Sequence, residues 1–278
     1  MTINHPPVPG SALWVHAHPR PDSLNGQLFT EGVRALGEQY RVATSDLYSQ
    51  DFDPRLSHRD LGGSSLSGSD GSGNSRSGST VELNAEAFSA GSLPPDVTAE
   101  QEKLAAAELL VVQFPLWWYG PPAILKGWLD RVLTAGFAFG DLDPRLGVPR
   151  RYGDGGLSGR RALVVVTAGE DERSIGHRGI SGDVESLLFP LTHGALWYVG
   201  IDTFDLHVIH DADVLSPERV QEEKDRLTGR LRALDSEQTK PYRRLSDGEY
   251  AGTRALKDTI LPGRTDLAIH RRDEAATA

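Results

Sequence analysis

Three aromatic residues in a row, Trp117-Trp118-Tyr119, stand between an apolar run and Gly120-Pro121-Pro122. Rings so placed form a wall on which a flat aromatic molecule stacks, although the same residue types also serve as ordinary core. A second set able to do chemistry is His18, Ser23 and Asn25, within and just after the turn His18-Pro19-Arg20-Pro21-Asp22. Where such a turn opens a helix, unpaired N–H groups and the positive end of the helix dipole suit a phosphate. A capped helix after a proline-rich turn accounts for these residues equally well. The third set is Thr167-Ala168-Gly169-Glu170, where glycine lets a ligand approach the backbone and N–H groups can steady developing negative charge. All three sets bind and orient. The chain has no Walker phosphate loop, no His-Glu-x-x-His and no Gly-x-Ser-x-Gly elbow, and its nine histidines are scattered, so no metal site is expected.

Five stretches read as the strands that must carry these residues: 12–17, 41–47, 109–114, 161–167 and 203–210. Helical spacing predicts helices at about 24–38, 99–108, 122–134 and 184–194, and a last one starting at Ser216-Pro217-Glu218. Strands alternating with helices imply a doubly wound α/β fold with a parallel sheet. The three sets then leave the C-terminal ends of the first, third and fourth strands, where open sheets of this kind bind ligands. Trp128 recurs with Ile124, Leu125, Leu129 and Val132 at helical spacing and is assigned to packing or an interface rather than to chemistry.

The formal charge is −10, from 29 Lys and Arg against 39 Asp and Glu, which disfavours nucleic acid and anionic membranes as partners. There is no cysteine, excluding disulfides and thiol catalysis. No run approaches the roughly 18 apolar residues of a membrane span. The first residues lack the pattern of a signal peptide, so a cytoplasmic protein without membrane insertion is expected. Residues 1–10, with three prolines, read as a disordered arm and 11–235 as the one folded domain. Residues 62–80, almost all Gly and Ser, read as a flexible insertion. Residues 236–278 read as a polar C-terminal extension that lies on the surface or on a partner subunit.

Three stretches together resemble one family. They are His16-Ala17-His18-Pro19-Arg20-Pro21-Asp22-Ser23-Leu24-Asn25, Asp46-Leu47-Tyr48, and the run from Phe114 to Trp128 that contains Pro-Leu-Trp-Trp-Tyr-Gly-Pro-Pro-Ala-Ile-Leu-Lys-Gly-Trp. Gly136-Phe137-Ala138-Phe139 and Gly179-Ile180-Ser181-Gly182-Asp183 extend the match. The chain is identified on these motifs as similar to the NAD(P)H:quinone oxidoreductases, DT-diaphorase-like proteins of flavodoxin-like fold. The resemblance covers about residues 12–234.

It implies a five-stranded parallel sheet of order 2-1-3-4-5, an NAD(P)H dehydrogenase (quinone) activity, and FAD bound at the interface of a homodimer. NAD(P)H is the implied co-substrate and a quinone or similar flat aromatic the acceptor. Hydride would pass from NAD(P)H through the flavin to the acceptor by a ping-pong mechanism. On the resemblance, His18, Ser23, Leu24 and Asn25 hold the pyrophosphate. Pro115, Leu116, Trp117, Trp118 and Tyr119 border the flavin ring, and Thr167, Ala168, Gly169 and Glu170 line its polar edge. Phe139, with Trp118 and Tyr119, contacts the substrate.

Many family members carry a Tyr and a His where this chain has Ile175 and Ser181. His177, Ser181 and the backbone of Gly169 are therefore the residues assigned to catalysis. The Gly/Ser stretch stands where family members contact the adenine of FAD, which leaves FMN as the other cofactor. Two further readings follow. One is an FMN-dependent reductase of azo, nitro or pathway quinone compounds. The other is a flavin-binding regulatory subunit of a transporter.

Overall fold

A computed structural model of the chain describes residues 5–63 and 78–272. Most of the Gly/Ser insertion lies outside the described residues. The sheet is parallel, and its order is β2 (Arg41–Asp46), β1 (Ser11–His16), β3 (Leu109–Pro115), β4 (Arg160–Thr167), then β5 (Ile201–Thr203) and β6 (His207–Ile209) as two pieces of the fifth strand position. The order is 2-1-3-4-5, as the family resemblance implies.

Alternation along the strands builds two cores. Ala12 and Trp14, Leu109 and Val111, and Leu163 and Val165 face α1 (Leu24–Leu36) and the C-terminal helix Pro217–Ala233. Leu13 and Val15, Leu110 and Val112, and Val164 and Val166 face the other way, with Leu104, Leu125 and Trp128. Those three belong to α3 (Pro95–Ala106) and α4 (Ala123–Val132). Trp128 is thus a core residue, as its spacing predicts.

Several boundaries differ from the sequence reading, each for a physical reason. The helix α2 (Thr80–Ser89) forms in a stretch to which helical spacing assigns no element. Its start is a capping box in which Ser79 and Glu82 serve each other's backbone N–H groups. The single helix expected over 184–194 is instead α5 (Val184–Leu187), α6 (Phe189–Leu191) and a π-helical turn, Thr192–Trp197. Pro190 has no N–H to continue the ladder. The fifth strand is interrupted at residues 204–206, because Arg230 takes the carbonyls of Asp205 and Leu206 at 2.7 and 3.1 Å.

The arm expected to be disordered is described from His5 onward, and there it is held. Val8 N–H donates to Ala106 O, Gly10 N–H to Glu108, and the Arg160 guanidinium to His5 O. Residues 237–272 run as a strap over the π turn and the loop before β4. Tyr242 donates to Thr192 Oγ1 at 3.1 Å, Trp197 Nε1 to Arg243 O at 3.3 Å, and Lys240 pairs with Glu185.

A buried ion cluster ties the loop after β2 to α3 and α4. Arg131 contacts Asp60 at 2.7 Å and Asp96 at 2.6 Å, and Asp60 is 0% exposed. Arg131→Met should lower stability by about 3–5 kcal/mol in urea denaturation, because it strands the Asp60 charge in the interior.

Under the strap, His193 is buried between Tyr152 and Phe189, ring centroids 5.0 and 4.5 Å away, with His270 at 5.3 Å. Burial, and secondarily His270, push its imidazole from 6.5 down to about 4. The folded state therefore favours the neutral ring. The stability this gives is present in full above the unfolded value of 6.5 and is lost as pH falls toward 4. The loss is on the order of 3 kcal/mol. His193→Phe should flatten, without abolishing, the acid limb of denaturation midpoint against pH, since buried His16 and His207 are also depressed, to about 4 and about 3.

Candidate active site

The loops after β1, β3 and β4 converge on one cavity of about 440 Å³, within the usual range for small-molecule sites. It is lined by His18, Ser23, Leu24 and Asn25 from the first loop and by Pro115, Leu116, Trp117 and Tyr119 from the second. Thr167, Ala168, Gly169 and Glu170 come from the third, joined by Ile175, Ala212 and Asp213.

The base of the cavity is fixed by a chain of buried side chains. Trp14 Nε1 donates to Gln113 Oε1 at 2.9 Å, and Gln113 Nε2 donates to Asn25 O at 2.8 Å. Asn25 Nδ2 donates to Thr167 Oγ1 at 2.7 Å. These contacts join β1, β3, the start of α1 and the end of β4.

At the helix end, Ser23 caps α1 by accepting from Gly26 N–H. Its Oγ also lies 2.9 Å from His18 Nδ1. Gly26 is required for the turn to sit this close, since a Cβ there would fall 2.0 Å from Pro21 O. The first-turn N–H groups of Leu24 and Asn25 have no intrahelical acceptors, and both residues line this end of the cavity. Arg20 is held by Asp22 at 2.8 Å, both exposed. His16, one turn deeper, is buried with Phe29 stacked at 4.6 Å, and burial pushes it down to about 4, so it is neutral near pH 7.

The aromatic turn is a two-residue reversal. Trp117 and Gly120 exchange N–H···O bonds at 3.1 Å, and Trp118 and Tyr119 between them have φ of 49° and 60°. Non-glycine residues in that region carry about 1 kcal/mol of strain each. This geometry splits the three rings. Trp117 lines the cavity, with His18 6.0 Å away. Tyr119 turns to the β4 loop, donating to Glu170 Oε1 at 2.8 Å. Trp118 points into solvent, 96% exposed, and is not among the lining residues.

Two more expected residues lie elsewhere. Phe139 packs edge-on against Tyr198 at 5.9 Å and does not line the cavity. The loop holding it closes on itself through Ala135, which pairs with Phe139. His177, with a 92% exposed side chain, sits 3.6 Å from Asp183 and lines a different cavity under the C-terminal strap. Ser181, by contrast, is at the rim, with Oγ 2.6 Å from Glu170 Oε2 and 3.1 Å from the Tyr119 hydroxyl. At Gly169, a Cβ would lie 2.6 Å from Oδ2 of the exposed Asp213 side chain, which places the loop after β6 against this edge.

The sequence reading missed Gln113, Ala212 and Asp213. Gln113 carried a signal, a lone amide in the apolar run Leu109–Pro115; the other two, in a polar loop, carried none.

The described arrangement suits a flat ring beside Trp117 with an anionic tail toward Ser23. The donor set fits a flavin nucleotide, with backbone groups at Thr167–Gly169 for the ring's polar edge and the capped helix start for phosphate.

Residues 11–234 match the family model described as Flavodoxin-like fold. The chain is 38% identical over 246 residues to a ribosyldihydronicotinamide dehydrogenase-like protein of Penicillium crustosum, covering 86% of each. It is 38% identical over 207 residues to the ribosyldihydronicotinamide dehydrogenase [quinone] of Homo sapiens, covering 74% of this chain and 84% of that one. A crystal structure described as a quinone reductase from Klebsiella pneumoniae superposes with a TM-score of 0.86 at 34% identity, covering 94% and 99%.

The buried chain at the base can be tested alone. Thr167→Val removes the acceptor for the Asn25 amide, which is only 4% exposed. It should cost about 1–3 kcal/mol in chemical denaturation, and Thr167→Ser should recover most of that.

Proposed function

The chain belongs to the flavodoxin-like family whose model spans residues 11–234, and from that premise we propose that it is an NAD(P)H:quinone oxidoreductase carrying FAD. The observation that carries the reading is the meeting of three strand-end loops in one cavity with a ring wall, a polar edge and a capped helix start. A bound flavin would supply the two-electron exchange between NAD(P)H and a quinone.

The protein's own part is positional. Ser23, His18 and the first turn of α1 hold the phosphate end, and Trp117 and Leu116 flank the ring. The Thr167–Glu170 backbone orients the ring's polar edge. Gly169 takes the catalytic part by presenting its N–H where charge develops. Donor and acceptor use the same open side in turn, which gives ping-pong order. The FAD assignment leaves FMN as the alternative cofactor.

We place the working form as a cytoplasmic homodimer. Trp118 and Ile180 are 96% and 97% exposed at the mouth. Beside them an apolar groove of about 360 Å³ is lined by Tyr119, Leu129, Leu133, Leu187 and Leu191. A second copy seated there would cover these residues and add walls to the open side. Among the described residues no helix is long and apolar enough to cross a membrane.

The purified protein should be yellow, release FAD on denaturation, and bleach on anaerobic titration with NAD(P)H. Trp117→Ala should weaken flavin uptake about tenfold, the equivalent of about 1.4 kcal/mol of ring contact. A colourless protein that takes up neither FAD nor FMN would defeat the proposal.

A further inference from the structure

Three side chains close a ring of hydrogen bonds at the mouth of the cavity. Tyr119, after β3, and Ser181, in the long loop after β4, both donate to the two oxygens of Glu170, at 2.8 and 2.6 Å. Their hydroxyl oxygens are 3.1 Å apart. Tyr119 is 41% exposed and Ser181 half-buried, so solvent reaches the ring from outside while Tyr119 and Glu170 face the cavity.

The other lining hydroxyls are committed. Thr167 Oγ1 accepts from Asn25 at the base, and Ser23 Oγ caps α1. Ile175, buried in the adjoining wall, has no proton to give. His18 lies at the phosphate end with Ser23.

We propose that Tyr119, Ser181 and Glu170 form a proton relay that protonates the reduced acceptor. The proposal rests on the quinone-reductase reading. In that reading NAD(P)H supplies two electrons and one proton to the quinone, and a second proton must come from solvent to complete the hydroquinone. The relay delivers that second proton. The phenolic O–H of Tyr119 turns toward the acceptor and breaks as an O–H bond forms on the acceptor oxygen. Ser181 passes its proton to Tyr119 as it accepts one from solvent, so both O–H bonds are remade in one concerted shift and no serine alkoxide forms. Glu170 takes no proton in the exchange and is the positioning residue. It fixes both hydroxyls by accepting from them, and its charge opposes a lingering phenolate, so transfer from Ser181 follows at once.

The test compares two acceptors, benzoquinone, which takes up protons, and ferricyanide, which takes up electrons alone. Tyr119→Phe keeps the ring that lines the cavity and removes only the hydroxyl. It should lower the ratio of benzoquinone to ferricyanide turnover about 10-fold to 100-fold. Ser181→Ala should lower the same ratio, and Ser181→Thr, which keeps the hydroxyl, should restore it. Flavin uptake by the flavin-free variants, followed through quenching of tryptophan fluorescence, supplies a reading that does not depend on turnover. It should stay within about threefold of the parent, as expected when the lost group acts on the proton. A ratio unchanged in Tyr119→Phe, or an equal fall with both acceptors alongside weakened flavin uptake, would reduce the ring to a clamp between loops and overturn the relay alone. A parent protein that takes up no flavin overturns the relay together with the reading beneath it.

Discussion

The amide of Gln113 decides how the rest of the molecule is arranged around it. It sits in the middle of a buried strand, where an unpaired amide costs about 1–3 kcal/mol, so both ends of the group need partners. Trp14 from the neighbouring strand satisfies the oxygen, and the backbone of Asn25 satisfies the nitrogen. Asn25 in turn reaches Thr167 at the end of β4. A sheet alone sets the spacing of β1, β3 and β4. This chain of side chains also sets where the first turn of α1 sits relative to those strands, and that position is the floor of the cavity. Hydrophobic burial holds the layers together without choosing such a register.

Around that floor the rim is built differently. The Trp117–Gly120 reversal keeps two non-glycine residues at positive φ, and its rings and hydroxyl are substantially exposed. Conformational strain of this kind persists only where the surroundings over-determine it. Here the reversal is held from below by Leu116 N–H on Thr167 O and from the side by Tyr119 on Glu170. The far ends of the strands show the opposite economy of contact. Arg160, buried at the start of β4, gives its guanidinium to the carbonyls of Leu104 and Ala105 in the last turn of α3, and burial pushes it down to about 10. A cation at a helix C-terminus is a stabilising use of charge.

Much of this was legible in the sequence because it depends on local rules. The apolar runs at 109–114 and 161–167 and the helical spacing around Trp128 fixed which elements form, and the loops at the strand ends followed. The departures come from contacts between distant residues. Nothing near residues 204–206 says that Arg230 will take their carbonyls and split the last strand. Pro190 did announce a break, yet a widened π turn rather than a stop required the strap that lies over it. The three consecutive aromatics were read as one wall, and the left-handed backbone at Trp118 and Tyr119 sends them three ways. Periodicity cannot show that, because neither residue is glycine or asparagine and nothing in their types favours positive φ.

The contrast between floor and rim bears on how such a site changes its chemistry. Floor residues such as Asn25, Gln113 and Thr167 are buried and doubly tied, so replacing one disturbs the meeting of strands before it alters any ligand contact. Rim residues such as Tyr119, Glu170 and Ser181 hang from loops, and each is held by side-chain contacts that can be exchanged without disturbing the sheet. On the proposed reading, the floor sets where the phosphate tail lies, Trp117 of the rim flanks the flat ring, and the handling of protons and the choice of acceptor fall to the other rim residues. On the proposed relay, a chain with Ile175 and Ser181 in place of a Tyr and a His would keep the same floor while the Glu170 carboxylate and the Tyr119 and Ser181 hydroxyls, drawn from different loops, serve at the mouth.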